Sequence, residues 1–552
     1  MSGFATRMPM VGRQHPGVPA LGYDGTTMPF AARTLLVALA LTAAAASQQP
    51  QKPTRDAANW WKLTSDLAND SMQGRDTGTD AYQRAAQYVA DHFKADGLKP
   101  AGQLGIEPGG QPSYFQIVPM HQVEIDAEHS TVELVDREGQ REPLRFLYET
   151  TLTARPALPP FTEGQLVFIG YGQPPVNLDL HGKIVVFFNN TPADLTPEKR
   201  ASFTASRILR LAEAGPAGVV SIDNPAAIEP THWPAAYART VTLATHPQRL
   251  PANAPLGLRI SAEAAPKLFA GSTADAAKII ADAEKGLPLP TLTLPRKLRV
   301  TVKESEKDIS SNNILALLPG SNPALAPEMV AVSAHLDGYG FGTPVNGDKL
   351  YNGALDDAAY VATLLELAHN LKGKPPARSL LFCIFTGEEK GLLGSVFFTQ
   401  HPTVDIKKVV ADFNLDQLRP IFPLRILTME GIDDSTLGDT AKSVAQQFGI
   451  ELRPDRETER NLFRRSDNYS FVRVGVPIGS FIFGYDPGTP EETAYRDWYA
   501  RRYHKPQDDL NTPIDWKAAV TFNNFYRALV LNVANNPTKP EWLSTSSYAP
   551  KP

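Results

Sequence analysis

Residues 331–357 read AVSAHLDGYGFGTPVNGDKLYNGALDD. The apolar and β-branched run from Met329 to Ser333 has the character of a buried strand, and it delivers His335 and Asp337 at its C-terminal end. A Gly/Pro/Asn-rich loop, Gly338 to Asn352, follows and is expected to wall a pocket. It runs on to Asp356 and Asp357, just ahead of a helical pattern from Ala358 to about Leu371. Histidine and carboxylates gathered at a strand end, on a loop and at a helix start are what a metal site in an open α/β sheet uses. HxD and DD pairs are common, so the weight of this reading depends on partner ligands elsewhere in the chain.

Downstream, the same arrangement recurs. Arg378 to Phe385 is a continuously apolar strand of the kind buried in parallel sheets, and it ends in Thr386-Gly387-Glu388-Glu389 before a helical pattern from Gly391 to Gln400. Val409 to Phe413 is a further strand, ending at Asn414-Leu415-Asp416. Leu424 to Met429 and Val476 to Phe483 read as strands and Thr436 to Phe448 as a helix, while Arg502 to Asp509 (RYHKPQDD) is a loop before a closing helix, Trp516 to Val533. This alternation predicts an α/β fold with a mostly parallel twisted sheet, helices on both faces and ligands at the strand ends.

Upstream, residues 56–104 hold two helical patterns, the second with an apolar stripe of Ala85, Tyr88, Val89 and Phe93 and a terminal Gly97. From about Val123 to Thr291 the character changes to short strands punctuated by Pro and Gly, which marks a β-rich insert. The expected division is 1–47 as N-terminal extension and signal, 54–125 as the first catalytic segment, 126–294 as the insert and 295–545 as the second catalytic segment.

A net charge of −5 over 552 residues gives no basic footprint, so nucleic acid is not an expected partner. Arg33 followed by the apolar run Thr34 to Ala46, with a small-residue exit, reads as a secretory signal, and Met28 as the start. The run is too short for a good membrane span, so a secreted or periplasmic location is expected, with a retained anchor as the alternative. The single cysteine, Cys383, lies inside SLLFCIF and reads as a core hydrophobe. Oligomeric state is left open.

The polar residues stranded at the predicted strand ends and in the last loop are His335, Asp356, Glu388, Glu389, Asp416 and His504. Two histidines and three carboxylates hold two divalent ions when one carboxylate bridges, and mixed N and O ligation suits zinc, with cobalt or manganese as substitutes. An adjacent Glu-Glu pair lets one residue ligate while the other stays free as a base.

The segments AHLD, NGALDDAA, FTGEEKGLLGS, FNLDQL and RYHKPQDD, in this order, resemble the five metal-site segments of the di-zinc exopeptidases that include aminopeptidase S, aminopeptidase Y and glutamate carboxypeptidase. The loop GTPVNGDKLYNGALDDAA resembles that of secreted bacterial members, and the insert, with FIGYG, GKIVVF and AGPAGVVSID, resembles the protease-associated domain that many members carry there. The resemblance implies that Asp356 bridges two zinc ions, that His335 and Asp416 complete one site, and that Glu389 with His504 completes the other. It also implies that Glu388 is the general base, that Asp337 orients His335, and that Tyr503 stabilises the oxyanion, with ring packing as the competing role for Tyr503. Asp508 and Asp509 are read as loop caps, with orientation of His504 as the alternative. Ala359-Tyr360, where the family has small Ser-Gly, and Gln417 after Asp416, where Met is common, depart from the pattern and put pocket shape in question.

The implied function is a secreted metallo-exopeptidase acting on peptide substrates, an aminopeptidase in the first reading. A carboxypeptidase or dipeptidase of the same family is the alternative, supported if Arg464 and Arg465 face the pocket and bind a substrate carboxylate. A one-zinc glutaminyl cyclase and a non-catalytic receptor-like ectodomain stand further off. Metal content separates these classes: two ions, one, or none.

Overall fold

A computed structural model describes residues 54–104, 110–175, 177–226, 238–246, 254–416 and 419–550. The expected signal at 34–46 and the departure at Gln417 lie outside the described residues. Among the described residues, no helix is long and apolar enough to cross a membrane.

The chain enters through two helices, α1 (Arg55–Ala68) and α2 (Asp80–Ala95), each closed at its start by a threonine. Thr54 accepts from the amide of Ala57, and Thr79 from that of Tyr82, which satisfies donors that a helix start leaves open. The main sheet is built from β1 (Phe115–Ile125), β2 (Arg239–Leu243), β4 (Glu304–Leu318), β5 (Met329–His335), β6 (Ser379–Phe385), β7 (Val409–Asn414), β8 (Ile426–Glu430), β9 (Glu451–Arg453) and β10 (Ile478–Gly484). The strand β3 (Thr291–Thr301) precedes β4 in the chain but belongs to a different sheet. In space the main order is β9-β8-β10-β7-β5-β6-β4-β1-β2. The centre is parallel: β10 with β7, β7 with β5, and β5 with β6. The flank from β6 through β4 and β1 to β2 is antiparallel, as is the β8–β10 pair.

The parallel centre is the most deeply covered part of the molecule. β5 and β6 are buried along all 7 residues and β7 along all 6. Side chains on β6 alternate between two cores: Phe382 meets Phe93 of α2 at 5.4 Å, while Phe385 packs on Phe398 and Phe471 on the other face. Cys383 lies on that second face, buried and unpaired. Each large apolar side chain taken out of water here contributes about 1.5–3 kcal/mol. Two further helices complete the cover, α3 (Ala359–Asn370) after β5 and α5 (Trp516–Asn535) at the end, with α4 (Leu393–Gln400) after β6.

The β-rich middle forms a second, eight-stranded sheet with its own core of Val132, Leu134, Phe168, Ile184 and Leu298. This sheet extends past the expected boundary at residue 294, because β3 pairs along Thr291–Thr301 with strands of the insert on both sides. The crossing point is the short turn between β3 and β4, not the approach to β3. The insert also returns one strand to the main sheet: β2 pairs with β1 and forms its edge.

Candidate metal centre

The parallel centre sets the site. β5 leads through α3 to β6 on one side, and β6 leads through α4 to β7 on the other, so the order of strand addition reverses at β5, where a crevice is expected beyond the strand ends. His335 ends β5, Glu388 and Glu389 follow β6, and Asp416 follows β7. Asp356 stands in the loop before α3, and His504 in the loop before α5. The structure brings these six residues together.

Two groups form within them: His335, Asp356 and Asp416, and Asp356, Glu389 and His504, each with ligand atoms within 4.8 Å of one another. Asp356 belongs to both. Its Oδ1 lies 3.2 Å from His335 Nε2 and its Oδ2 lies 3.4 Å from His504 Nε2, while Glu389 Oε2 lies 3.4 Å from the same His504 nitrogen. His335 Nε2, Asp356 Oδ2 and Asp416 Oδ1 are buried and have no hydrogen-bond partner among the described residues. Buried polar atoms are normally satisfied, and these three belong to residues of one ligand group, so they fit a bound cation.

The supporting contacts aim the ligands. His335 Nδ1 lies 3.0 Å from the Asp337 carbonyl, which only accepts, so Nδ1 carries the proton and Nε2 keeps its lone pair for a metal. The Asp337 carboxylate, 3.8 Å from Nδ1, instead receives the amides of Glu388 (3.1 Å) and Glu389 (3.3 Å). The sequence expectation that this carboxylate orients His335 is thus met by the backbone of the same residue, and the side chain holds the Glu-Glu turn. Asp508 accepts from the amides of Leu355 and Asp356, both at 3.0 Å, which makes it a cap on the bridging loop. His504 is oriented by Tyr339, whose hydroxyl lies 3.2 Å from Nδ1. Ser466 donates to Asp416 Oδ2 at 2.6 Å.

Electrostatics point the same way. Burial raises the carboxyls of Asp337, Asp357, Glu388 and Asp416 above their ordinary range, and it pushes Glu389, Asp467 and Asp508 up to about 7. Asp356 alone goes down: burial opposes it, but the adjacent His335 and His504 rings prevail. So much buried acid of one sign is costly unless a cation shares the space.

The remaining expectations divide. Tyr503 is buried and stacked on His504 with ring centres 3.6 Å apart, and its hydroxyl lies 3.4 Å from Arg465 Nη2. Arg464 is exposed and lies against Tyr469 and Tyr548. Tyr360 does not enter the pocket; its ring is in the core and its hydroxyl accepts from the Arg419 amide at 2.6 Å. Gly338, Tyr339 and Tyr351, from the two ends of the loop after β5, line a small cavity with Asp356, Glu389 and His504. A larger cavity, about 540 Å³ between α1, α2, α3 and α5, contains none of the metal-site residues. Sequence reasoning missed Asp357, whose carboxylate takes the His335 amide at 3.1 Å, and Ser466 and Tyr339. The doubled aspartate was a signal for the first; nothing local marked the other two.

Residues 313–530 match peptidase family M28. Aminopeptidase YwaD of Bacillus subtilis (strain 168) is 27% identical over 206 residues, which are 36% of this chain and 40% of that protein. The match thus spans well under two thirds of that relative's length. An aminopeptidase from Aneurinibacillus sp. strain AM-1 has the same fold, with a TM-score of 0.56 at 19% identity over 88% of this chain and 95% of the other. BSAP, a zinc aminopeptidase from Bacillus subtilis, gives 0.53 at 18% identity over 89% and 98%. Ordered motifs, grouped ligand residues and these likenesses agree: over residues 313–530 the chain is similar to peptidase family M28.

Proposed function

We propose that this protein is an exported di-zinc exopeptidase that releases N-terminal residues from peptides. One observation carries the reading: two ligand triads share Asp356, and Glu388 sits beside them without belonging to either. His335, Asp356 and Asp416 would hold one ion, and Asp356, Glu389 and His504 the other. When bound, zinc in such a site supplies Lewis acidity, polarising a carbonyl and lowering the pKa of a water. Glu388 then takes a proton from the attacking water and returns it to the leaving amine, so the peptide C–N bond breaks and a carboxylate and an amine result. Tyr503, fixed against His504 and reached by Arg465, donates its hydroxyl hydrogen toward the developing oxyanion. The aminopeptidase direction is supported by the aminopeptidases among the similar proteins, and export by the apolar run at 34–46.

One observation favours a second direction. Arg465 stands on Tyr503 at the rim of the site, where it could hold a substrate carboxylate. Matched peptides with free and blocked N-termini, given to the zinc-loaded protein, separate the two. Release of N-terminal residues from free peptides only is expected. Shortening of blocked peptides from the C-terminus would overturn the aminopeptidase direction.

A further inference from the structure

The turn Asp70–Arg75 ends in three successive left-handed residues, Gln73 (φ 48°), Gly74 (φ 67°) and Arg75 (φ 50°), and a Cβ on Gly74 would meet the Tyr351 carbonyl at 2.3 Å. After this close approach Arg75 and Thr77 are buried and Asp76 is half-buried. Arg75 is fully buried, and its guanidinium donates only to backbone carbonyls: Leu336 at 2.8 Å, Leu67 at 2.8 Å, Asn352 at 2.7 Å and Gly353 at 2.9 Å. Leu336 separates His335 from Asp337, and Asn352-Gly353 lead into Asp356. Thr77 donates its hydroxyl to Asp337 Oδ2 at 3.0 Å, on the carboxylate that holds the Glu388 and Glu389 amides. Asp76 pairs with Lys390 at 3.2 Å and with Arg239 of β2. Lys390 lies over the ring of Tyr339, whose hydroxyl orients His504.

Three consecutive side chains thus reach three ligand-bearing loops, and the insert, through Arg239, grips the same turn. We propose that Arg75, Asp76 and Thr77 are positioning residues that hold the two metal half-sites in register. All three lie outside the residues matched to the family, and the inference rests on the dimetal reading above. Arginine is required at 75 because only its planar fork of five donors serves four carbonyls at once; a lysine keeps the charge and loses the geometry.

The test is zinc affinity, measured by chelator competition on the full chain, beside the unfolding midpoint of the zinc-free protein. Thr77→Val and Arg75→Lys are expected to weaken zinc about 10- to 100-fold, the usual effect of removing support behind metal ligands, and Thr77→Ser to restore it. Arg378→Lys is the control. Arg378 is also a buried arginine that donates to carbonyls, of Val533 and Pro537, but it precedes β6 at the end away from the site. It should lower the midpoint and leave zinc affinity alone. If Thr77→Val and Arg75→Lys lose midpoint only, as the control does, the positioning role is overturned. Should Arg75→Lys fail to fold, Thr77→Val, which is nearly isosteric, decides the matter. Failure of the unaltered protein to take up zinc would instead sink the metal reading itself.

Discussion

Glu388 and Glu389 are neighbours in sequence with different surroundings. Glu389 meets His504 and Asp356 within a ligand group, whereas Glu388 faces the site from outside both groups. That difference is the ground for proposing ligation for Glu389 and proton transfer for Glu388. Glu388→Gln keeps the shape and an acceptor oxygen but cannot accept a proton. Its zinc content should match the unaltered protein while kcat falls about 10²- to 10⁴-fold; full turnover in this variant would remove Glu388 from the mechanism. All six of the ligand and base candidates were legible in the sequence, because each interrupts an apolar or turn pattern at a strand end or within a short motif. Arg75 and Thr77 were not. Their partners stand 261 and 260 residues away, and no local pattern encodes a hydrogen bond across that distance.

At the scale of elements, the strands were recognisable and their ends were not. The run read as Met329 to Ser333 extends to His335, and that read as Val409 to Phe413 extends to Asn414. In both cases the last residue, His335 or Asn414, is polar, so the apolar signal stops before the strand does. The start of α3 shows the converse. Tyr360, a bulky residue where the family has a small one, reads as a pocket feature but acts as a tie from α3 to the loop after Asp416. Tyr360→Phe removes this buried hydrogen bond and should cost about 0.5–1.5 kcal/mol, read as a lower denaturant midpoint of the zinc-free protein. An unchanged midpoint would show that the tie carries no stability.

At the scale of the whole molecule, the insert is less separate than its composition suggests. β3 has the same alternation as β4, so sequence alone placed it with the catalytic part, and the return of β2 to the main sheet depends on pairing that no local signal announces. Away from the metal centre, the end of β8 sets a pH limit on the fold. Glu430 is buried, its Oε1 has no hydrogen-bond partner among the described residues, and burial together with Asp455 and Asp434 pushes its carboxyl from 4.5 up to about 8. A raised carboxyl favours folding fully below its unfolded value, and the benefit is lost as pH rises through the folded one. Between pH 4.5 and 8 that loss amounts to about 4–5 kcal/mol. Glu430→Gln should therefore gain stability relative to the unaltered chain as pH rises from 5 to 9, followed by denaturation at each pH; a difference independent of pH would contradict this. The central claim is a metal pair bridged by Asp356, and anomalous scattering at the zinc edge from crystals of the zinc-loaded protein tests it most directly. Two peaks, one on each side of the Asp356 carboxylate, are predicted. A single peak, or peaks that do not share Asp356, would contradict it.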